Sequence, residues 1–379
     1  MTRRQTNLLF SLKTVGIAGG YIAGGGHSPM MSLVGMGADQ VLSMEVVLPS
    51  GQFVTASATS NPELFWALRG GGGGTFGVVT SVVIQAYPRI PVTTMSLAFG
   101  MSETLDGDLF FAGLRSFFSH FPDFTEAGSF SYFFIVPNGL GGHLFLLVPL
   151  WGGNMTRPEL EDLTAPWLAE LEDLGIPVTP NFTEYTSMYS AFNGTWPGGE
   201  AVGAITSHAA SRLFPRDNFA DSAKLDATLA AIRYSVEEGG ILIGYNIHPA
   251  PNAGANQDNA VNPAWRDARA FFMTTNTWGN DATHQEIADK LETVTTDWME
   301  AWRAVTPGGG TYMSEGDINE PNFQQAFYGS NYARLYALKQ QLDPAGLFYA
   351  PTAVGSEHWY ITGQIPYWPT QNGRLCRRE

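Results

Sequence analysis

The sequence predicts an α+β fold built on an antiparallel sheet, and three observations carry that prediction. Strand-like segments rich in aromatic and β-branched residues are interspersed with amphipathic helical ones. Near Pro91 the texture changes from short elements to longer aromatic strands. The chain has 379 residues, 44% of them hydrophobic, which is enough for two or three domains with ample core.

The elements follow in order. In "QVLSMEVVL", residues 40–48, Leu42, Met44, Val46 and Leu48 alternate with Ser43 and Glu45, and Pro49-Ser50-Gly51 turns the chain into "QFVTA", a hairpin signal. "NPELFWALRG" reads as a short helix with Asn61 at the N-cap, Pro62 at N1 and Gly70 past its end. Gly70 to Gly74 lead directly into the β-branched strand "TFGVVTSVVIQAYP". Further strands are predicted at residues 130–137, 142–151, 241–249 and 268–278. Helices are predicted at residues 217–238 and 284–305, the latter with Ile287, Leu291, Val294, Trp298, Trp302 and Val305 on one face. Residues 252–263 read as a polar loop, and Ser330 as the cap of "NYARLYALKQQL", which Asp343-Pro344 stops.

A net charge of −15 argues against nucleic acid and acidic membrane surfaces as partners. An anionic ligand would have to be held by backbone N–H groups more than by Lys or Arg. No apolar run approaches the ~18 residues of a membrane span. Three sequons, at Asn154, Asn181 and Asn193, fit a glycosylated extracellular protein, whereas the apolar run 8–10 is too short for a signal peptide. Cys376 is the lone cysteine, so neither an internal disulfide nor a thiolate metal cluster is expected.

Gly72-Gly-Gly-Thr-Phe-Gly77 formally matches GxGxxG, but it follows a helix and opens a strand, the reverse of the dinucleotide-binding context. P-loop, nucleophile-elbow and zincin motifs are absent, and the seven histidines show no metal-ligand spacing. His27 abuts a glycine cluster and is the histidine placed to touch a ligand. Two glycine-rich segments remain, residues 16–26 and 70–77, each followed closely by a strand. Tight turns serving packing would explain either one. Two in an acidic chain can supply convergent N–H donors for a pyrophosphate, so a nucleotide cofactor is the better reading.

The run from "TVGIAGGYIAGGGHSP" through "RGGGGGTFGVVTSVVIQAYP" resembles the second half of the FAD-binding domain of berberine bridge enzyme-like oxidases, of the vanillyl-alcohol-oxidase type and fungal pattern. The tail "TYMSEGDINEPNFQQAFYGSNYARLYALKQQLDPAGLF" resembles their C-terminal module. The resemblance covers nearly everything from Thr14 onward. It implies a partial FAD-binding domain at 1–92, an antiparallel-sheet substrate domain flanked by helices at 93–320, and a module at 321–379 that returns to the FAD domain. It also implies that further flavin-domain sequence precedes the glycine cluster in relatives, including a signal peptide and the histidine attached to the flavin, and the leader Met1 to Lys13 matches none of it.

Carried over by position, Thr14, Val15, Gly16, Gly19 and Gly20 would line the flavin ring and pyrophosphate, with Gly25, Gly26 and His27 close by. Ala38, Asp39 and Val41 would lie on the ribityl and adenine side with Gly77 and Val78, and Asn331 and Tyr332 would meet the isoalloxazine. Val15 resembles the gate to the oxygen-access pocket. Bicovalent members have a cysteine where this chain has Leu12, so any FAD is expected to be noncovalent. Cys376 is expected, from the resemblance, to pair in full-length relatives with a cysteine of the preceding part.

The resemblance implies oxidation of an alcohol, sugar or amine-bearing natural product, with reoxidation by O2 to H2O2, by a monomeric secreted protein. Hydride loss from a C–H bond next to oxygen or nitrogen needs a base. Many relatives use a tyrosine two residues before the aspartate of a Tyr-x-Asn-Tyr-x-Asp strand, and Glu315 stands there. A salt-bridged structural carboxylate is the bland alternative. Tyr312 is the second candidate, read as sharing a strand face with Glu315. The glutamate used by plant relatives is replaced by Ala260, ahead of Pro263-Ala-Trp-Arg266. The competing readings are a noncatalytic remnant unable to hold FAD, and a hydrolase or lectin using the aromatic sheet.

Overall fold

A computed structural model describes residues 15–195, 205–250 and 257–378. Thr14 and the leader lie outside the described residues, as does part of the predicted loop 252–263.

Near the N-terminus, β1 (Val41–Val47), β2 (Phe53–Ser57) and β3 (Val78–Ile84) form an antiparallel sheet in the order β2-β1-β3. The predicted hairpin is its β1–β2 half. The helix Pro62–Ala67 and Gly70–Gly74 connect β2 to β3 as expected, although Asn61 sits at the N-cap with φ +48° and turns its amide to Thr55 O instead of capping.

Seven further strands form the large sheet: β4 (Val92–Gly100), β5 (Ser129–Pro137), β6 (His143–Gly153), β7 (Asn181–Tyr185), β8 (Ser207–Pro215), β9 (Ile241–Asn246) and β10 (Ala268–Thr277). Their order is β7-β4-β6-β5-β9-β10-β8, and every pairing is antiparallel. Strands β4, β7 and β8 were not expected. Strand β9 is shorter than expected, ending before Pro249, which has no N–H to give a ladder.

Because side chains alternate along a strand, the sheet has two faces of different composition. Leu147, Phe133, Gly244 and Phe272 fall in one row across β6, β5, β9 and β10. This row faces helices Gly107–Ser119, Phe121–Glu126, Ser222–Glu237 and Met299–Val305. Phe110, Phe111, Leu114, Phe117 and Phe118 on the first helix recur at helical spacing and are buried there, each burial stabilising by roughly 1.5–3 kcal/mol. Gly244 makes room for the Phe133 ring, which a Cβ would overlap. One residue over, Tyr132, Tyr245, Phe271 and Leu213 form the neighbouring row, which packs against the N-terminal unit.

Two predicted helices are interrupted. The stretch from Asp217 divides at Asp221, whose carboxylate accepts from Lys224 N (2.9 Å) to cap Ser222–Glu237. The helix from His284, started by a Thr283–Glu286 capping box, passes through a π-turn at Val294–Trp298 before Met299–Val305. Helix Tyr332–Leu342 has Asn331, not Ser330, at its N-cap, because Gly329–Asn331 is a 3₁₀ turn. That helix returns to the N-terminal unit. Buried Lys339 donates to Thr75 O (2.8 Å) and Phe348 O (2.7 Å) while pairing with Asp343 (2.8 Å), and Arg334 pairs with Glu63.

Candidate active site

The first glycine run builds the site by what it leaves out. A π-turn, Ile17–Tyr21, leads into Ile22–Gly24, and Gly25 (φ +119°) and Gly26 (φ +77°) then reverse the chain in a region where other residues are strained. A Cβ on Gly24 would strike Tyr312 and Ser314 at 2.8 Å. Its absence lets the 3₁₀ turn Met313–Glu315 lie against this backbone. The reversal places His27 beside that turn, with Tyr21 Oη donating to His27 O (2.9 Å).

His27 Nε2 then lies 3.1 Å from Glu315 Oε2. The imidazole ring is surrounded by Tyr245 (4.9 Å between centroids), Tyr312 (5.4 Å), Phe271 (5.5 Å) and Trp265 (6.1 Å). Side-chain exposures of 11% for His27 and 28% for Glu315 leave the carboxylate the more accessible of the two. This is a carboxylate–imidazole pair set in an aromatic cage, able to accept and hold a proton at Glu315 Oε.

Tyr312 and Glu315 do share a side, but not as strand neighbours. Three residues apart on a strand they would face opposite ways; the 3₁₀ turn, with Glu315 N donating to Tyr312 O (3.0 Å), brings them together. Burial, and then the Glu315 charge, push the Tyr312 phenol well above its ordinary range. Tyr312 therefore keeps its proton at neutral pH and is a poor base. Burial raises Tyr21 likewise.

The turn is anchored from behind. Buried Asp317 accepts from Thr295 Oγ1 (2.5 Å) and Asn319 N (2.8 Å), and lies 3.0 Å from His208 Nε2. Thus the two carboxylates of this stretch have different duties: Asp317 is bound up in structure and Glu315 faces the cage.

The two glycine runs meet. Gly72 N donates to Ala23 O (2.9 Å), and a Cβ on Gly73 would collide with Gly19 O. Gly70 is needed for packing, since a Cβ there would overlap the backbone at Val261. Gly16, Gly19 and Gly20 are different: a Cβ on any of them would meet nothing within 4 Å. Their backbone borders open space and can admit a ligand at close range.

Other predicted contacts lie deeper in protein. Asp39 is buried, and its carboxylate is held by Arg266 through both oxygens (2.7 and 2.8 Å), Asn259 Nδ2 (2.7 Å) and Met36 N (2.9 Å). Ala38 N donates to Gly25 O, and Val41 is buried at the start of β1. Gly77 packs on Val46 and Val47, and Val78 is exposed on β3. Asn331 Nδ2 donates to Val261 O (3.0 Å), beside Gly70, while the Tyr332 hydroxyl is given to Glu357 (2.7 Å). Val15 lies half-buried at the start of the described chain.

Sequence reasoning missed the partner of His27, 288 positions away, the cage residues Tyr245, Phe271 and Trp265, and Tyr132, which stacks behind Tyr245 (5.0 Å). The available signal was weak: a single tyrosine in each of β5 and β9, with nothing local to mark it as different from core. Among the described residues no cluster of His, Cys, Asp or Glu could hold a metal ion, and no helix is long and apolar enough to cross a membrane.

The fold is that of the vanillyl-alcohol-oxidase-type flavoproteins. The structure superposes on the VAO-type flavoprotein MtVAO615 from Myceliophthora thermophila C1 with a TM-score of 0.86 at 30% identity, covering 96% of this chain and 64% of that one. Residues 311–355 match the family model "Berberine and berberine like". The chain is 36% identical over 367 residues to the FAD-linked oxidoreductase patO of Aspergillus clavatus and 32% identical over 370 residues to the FAD-linked oxidoreductase ZEB1 of Gibberella zeae, in each case over 96% of this chain and 61% of the relative. Over this span it is similar to the berberine bridge enzyme-like FAD-linked oxidoreductases. The chain spans about three fifths of the length of these curated relatives.

Proposed function

We propose that this chain carries the substrate side and part of the cofactor cradle of an FAD-dependent oxidase acting on an alcohol, sugar or amine-type natural product. The observation that carries the reading is the His27–Glu315 pair at 3.1 Å, held in an aromatic cage after the chain reversal that follows the open Gly16–Gly20 backbone. The residues fit the cofactor: backbone at Gly16, Gly19 and Gly20, with no side chain and open space beside it, lets a pyrophosphate or ring edge approach closely in a chain of charge −15. Gly16, Gly19, Gly20 and Val15 would hold the group, with Asn331 near by. When bound, FAD accepts a hydride and passes the electrons to O2, giving H2O2.

The chain's own residues handle the proton and the substrate. Glu315 takes the proton from the substrate hydroxyl or amine, and His27 Nε2 fixes the carboxylate's orientation. Tyr312, a neutral phenol, together with Tyr245, Phe271 and Trp265, keeps water from the buried side of the pair and leaves the Glu315 carboxylate as the group that meets the substrate. With Leu12 at the position of the attachment cysteine, no thiolate is available there, and the cofactor is held noncovalently by this part. The division into 1–92, 93–320 and 321–379 follows the two sheets and the returning helix. The asparagines of all three sequons are exposed, which supports a secreted glycoprotein of secondary metabolism acting as a monomer.

The test is the visible absorbance of the purified chain after FAD addition and desalting, followed by acid precipitation. Flavin that is retained and then released by acid is the expected result. A colourless protein would overturn the claim that this chain holds FAD.

A further inference from the structure

A cleft that shares no residue with the aromatic cage lies at the edge of the large sheet, and nothing in the oxidase reading uses it. Its volume is about 620 Å³, within the ~300–1,000 Å³ typical of small-molecule sites. It is bounded by the start of β8, the end of β10, the first turns of the helix from His284 and the tail around Trp368. Ile318, three residues after Glu315, and His208, paired with Asp317, form part of its wall. The cleft therefore adjoins the turn that carries Glu315.

Its lining has a distinct chemistry. Trp278 and Trp368 stand 5.8 Å apart at 77°, and His284 stacks on Trp368 at 6.2 Å. Both indoles are only half-buried, so part of each apolar face is open. Trp278 is locked in place by its Nε1, which donates to Ile205 O (3.0 Å). Amide and hydroxyl side chains rim the aromatic floor, among them Asn280, Asn372 and Thr370. Charged residues make up 15% of the chain, yet among the described residues none of Asp, Glu, Lys or Arg lines this cleft.

Each feature narrows the ligand. A charged ligand would lose hydration and, among the described residues, find no Asp, Glu, Lys or Arg to pair with. A wholly aromatic one would cover the indoles but leave the amide and hydroxyl rim unpaired. A pyranose ring presents a C–H face to an indole and a hydroxyl edge to amides, and satisfies both at once. We propose that this cleft binds a neutral carbohydrate chain, at a site separate from the His27–Glu315 cage and independent of whether flavin is held.

The experiment is a titration of the full chain with neutral tetrasaccharides of the β-1,4-glucan, β-1,4-xylan and α-1,4-glucan series, followed by tryptophan fluorescence and calorimetry. A saturable signal with at least one of them is expected. Trp278→Ala and Trp368→Ala should each weaken binding roughly tenfold or more, as removal of a stacking anchor does. Trp278→Phe, which keeps a ring and the fold, should retain most of it, and Glu315→Gln should leave it unchanged. No saturable signal with any of the sugars would overturn the proposal. So would binding that survives both alanine substitutions, or saturation by a planar aromatic alcohol alone.

Discussion

On strand β10, Phe272 faces the helices and its neighbour Phe271 faces His27, and both are fully buried. Burial does not separate the two faces of the sheet; their company does. Phe272 meets Phe214 at 4.8 Å, Phe118 at 5.4 Å and Phe133 at 5.9 Å, rings with no polar atom, and Trp302 at 6.5 Å, whose indole N–H is turned away to Ser235. Phe271 meets Trp265, Tyr245 and Tyr312 at 5.5–6.2 Å, all aromatic but each with a polar end, besides the imidazole. One face is sealed to hold the domain together. The other gives part of its packing to groups that can bind or move a proton, which is what the proposed chemistry requires.

The largest expected effect tests the functional face. In an FAD-loaded protein, Glu315→Gln should slow flavin reduction by about 10²–10⁴-fold, the usual contribution of a positioned base. It should leave thermal stability nearly untouched, because the carboxylate is partly exposed and its partner is a single histidine. Stopped-flow absorbance of the flavin, with a melting curve alongside, separates the two. Unchanged reduction would take Glu315 out of the reaction and leave the cage as packing.

The opposite signature is expected one row over. Phe272→Ala removes a ring from the phenylalanine core and should cost about 3–5 kcal/mol, read from urea midpoints. Flavin reduction by the fraction still folded should be unaltered. If Phe272→Ala instead changed the reductive rate at constant folded fraction, the two faces would be coupled and the separation drawn above would fail.

Much of this comparison was legible in the sequence as pattern, and little of it as contact. The β1–β2 hairpin, the glycine entry to β3 and the aromatic strands β5, β6 and β10 carry their own local signals. Strand β8, "SHAASRLFP", does not: its Ala and Ser residues have little β-propensity, and it is a strand because β10 pairs with it along its length. Glu315 was readable from the resemblance to the relatives' Tyr-x-Asn-Tyr-x-Asp pattern, but its geometry was not, since a 3₁₀ turn replaces the expected strand. The His27–Glu315 pair depends on Gly24 leaving room for Tyr312 and Ser314, a fact about two distant segments that no local window contains. Asp39 shows the converse: its position invites a ligand role, while Arg266 and Asn259 occupy its carboxylate.

The smallest predicted effect lies at the seam where the functional face meets the N-terminal unit. His248 follows β9, with its N–H directed to Ser32 Oγ (3.4 Å) and its ring Nδ1 receiving Arg269 Nη1 (2.8 Å). Burial, then the Arg269 charge, push this histidine down to about 4, with Arg266 adding to the effect and Glu126 and the Ala268 carbonyl opposing it. An unfolded chain binds this proton near the ordinary value of about 6.5, before the folded chain does. The stability His248 contributes is therefore complete above about 6.5, declines as the pH falls from there towards 4, and is gone below that. Protonation also removes the acceptor that Arg269 uses, so the loss is felt where β9 leaves the sheet for the N-terminal unit. Melting temperature measured from pH 7 down to 4 should fall less steeply for His248→Gln than for the parent chain. Parallel curves would mean that the proton is taken up elsewhere and that the seam, unlike the cage, is held by packing alone.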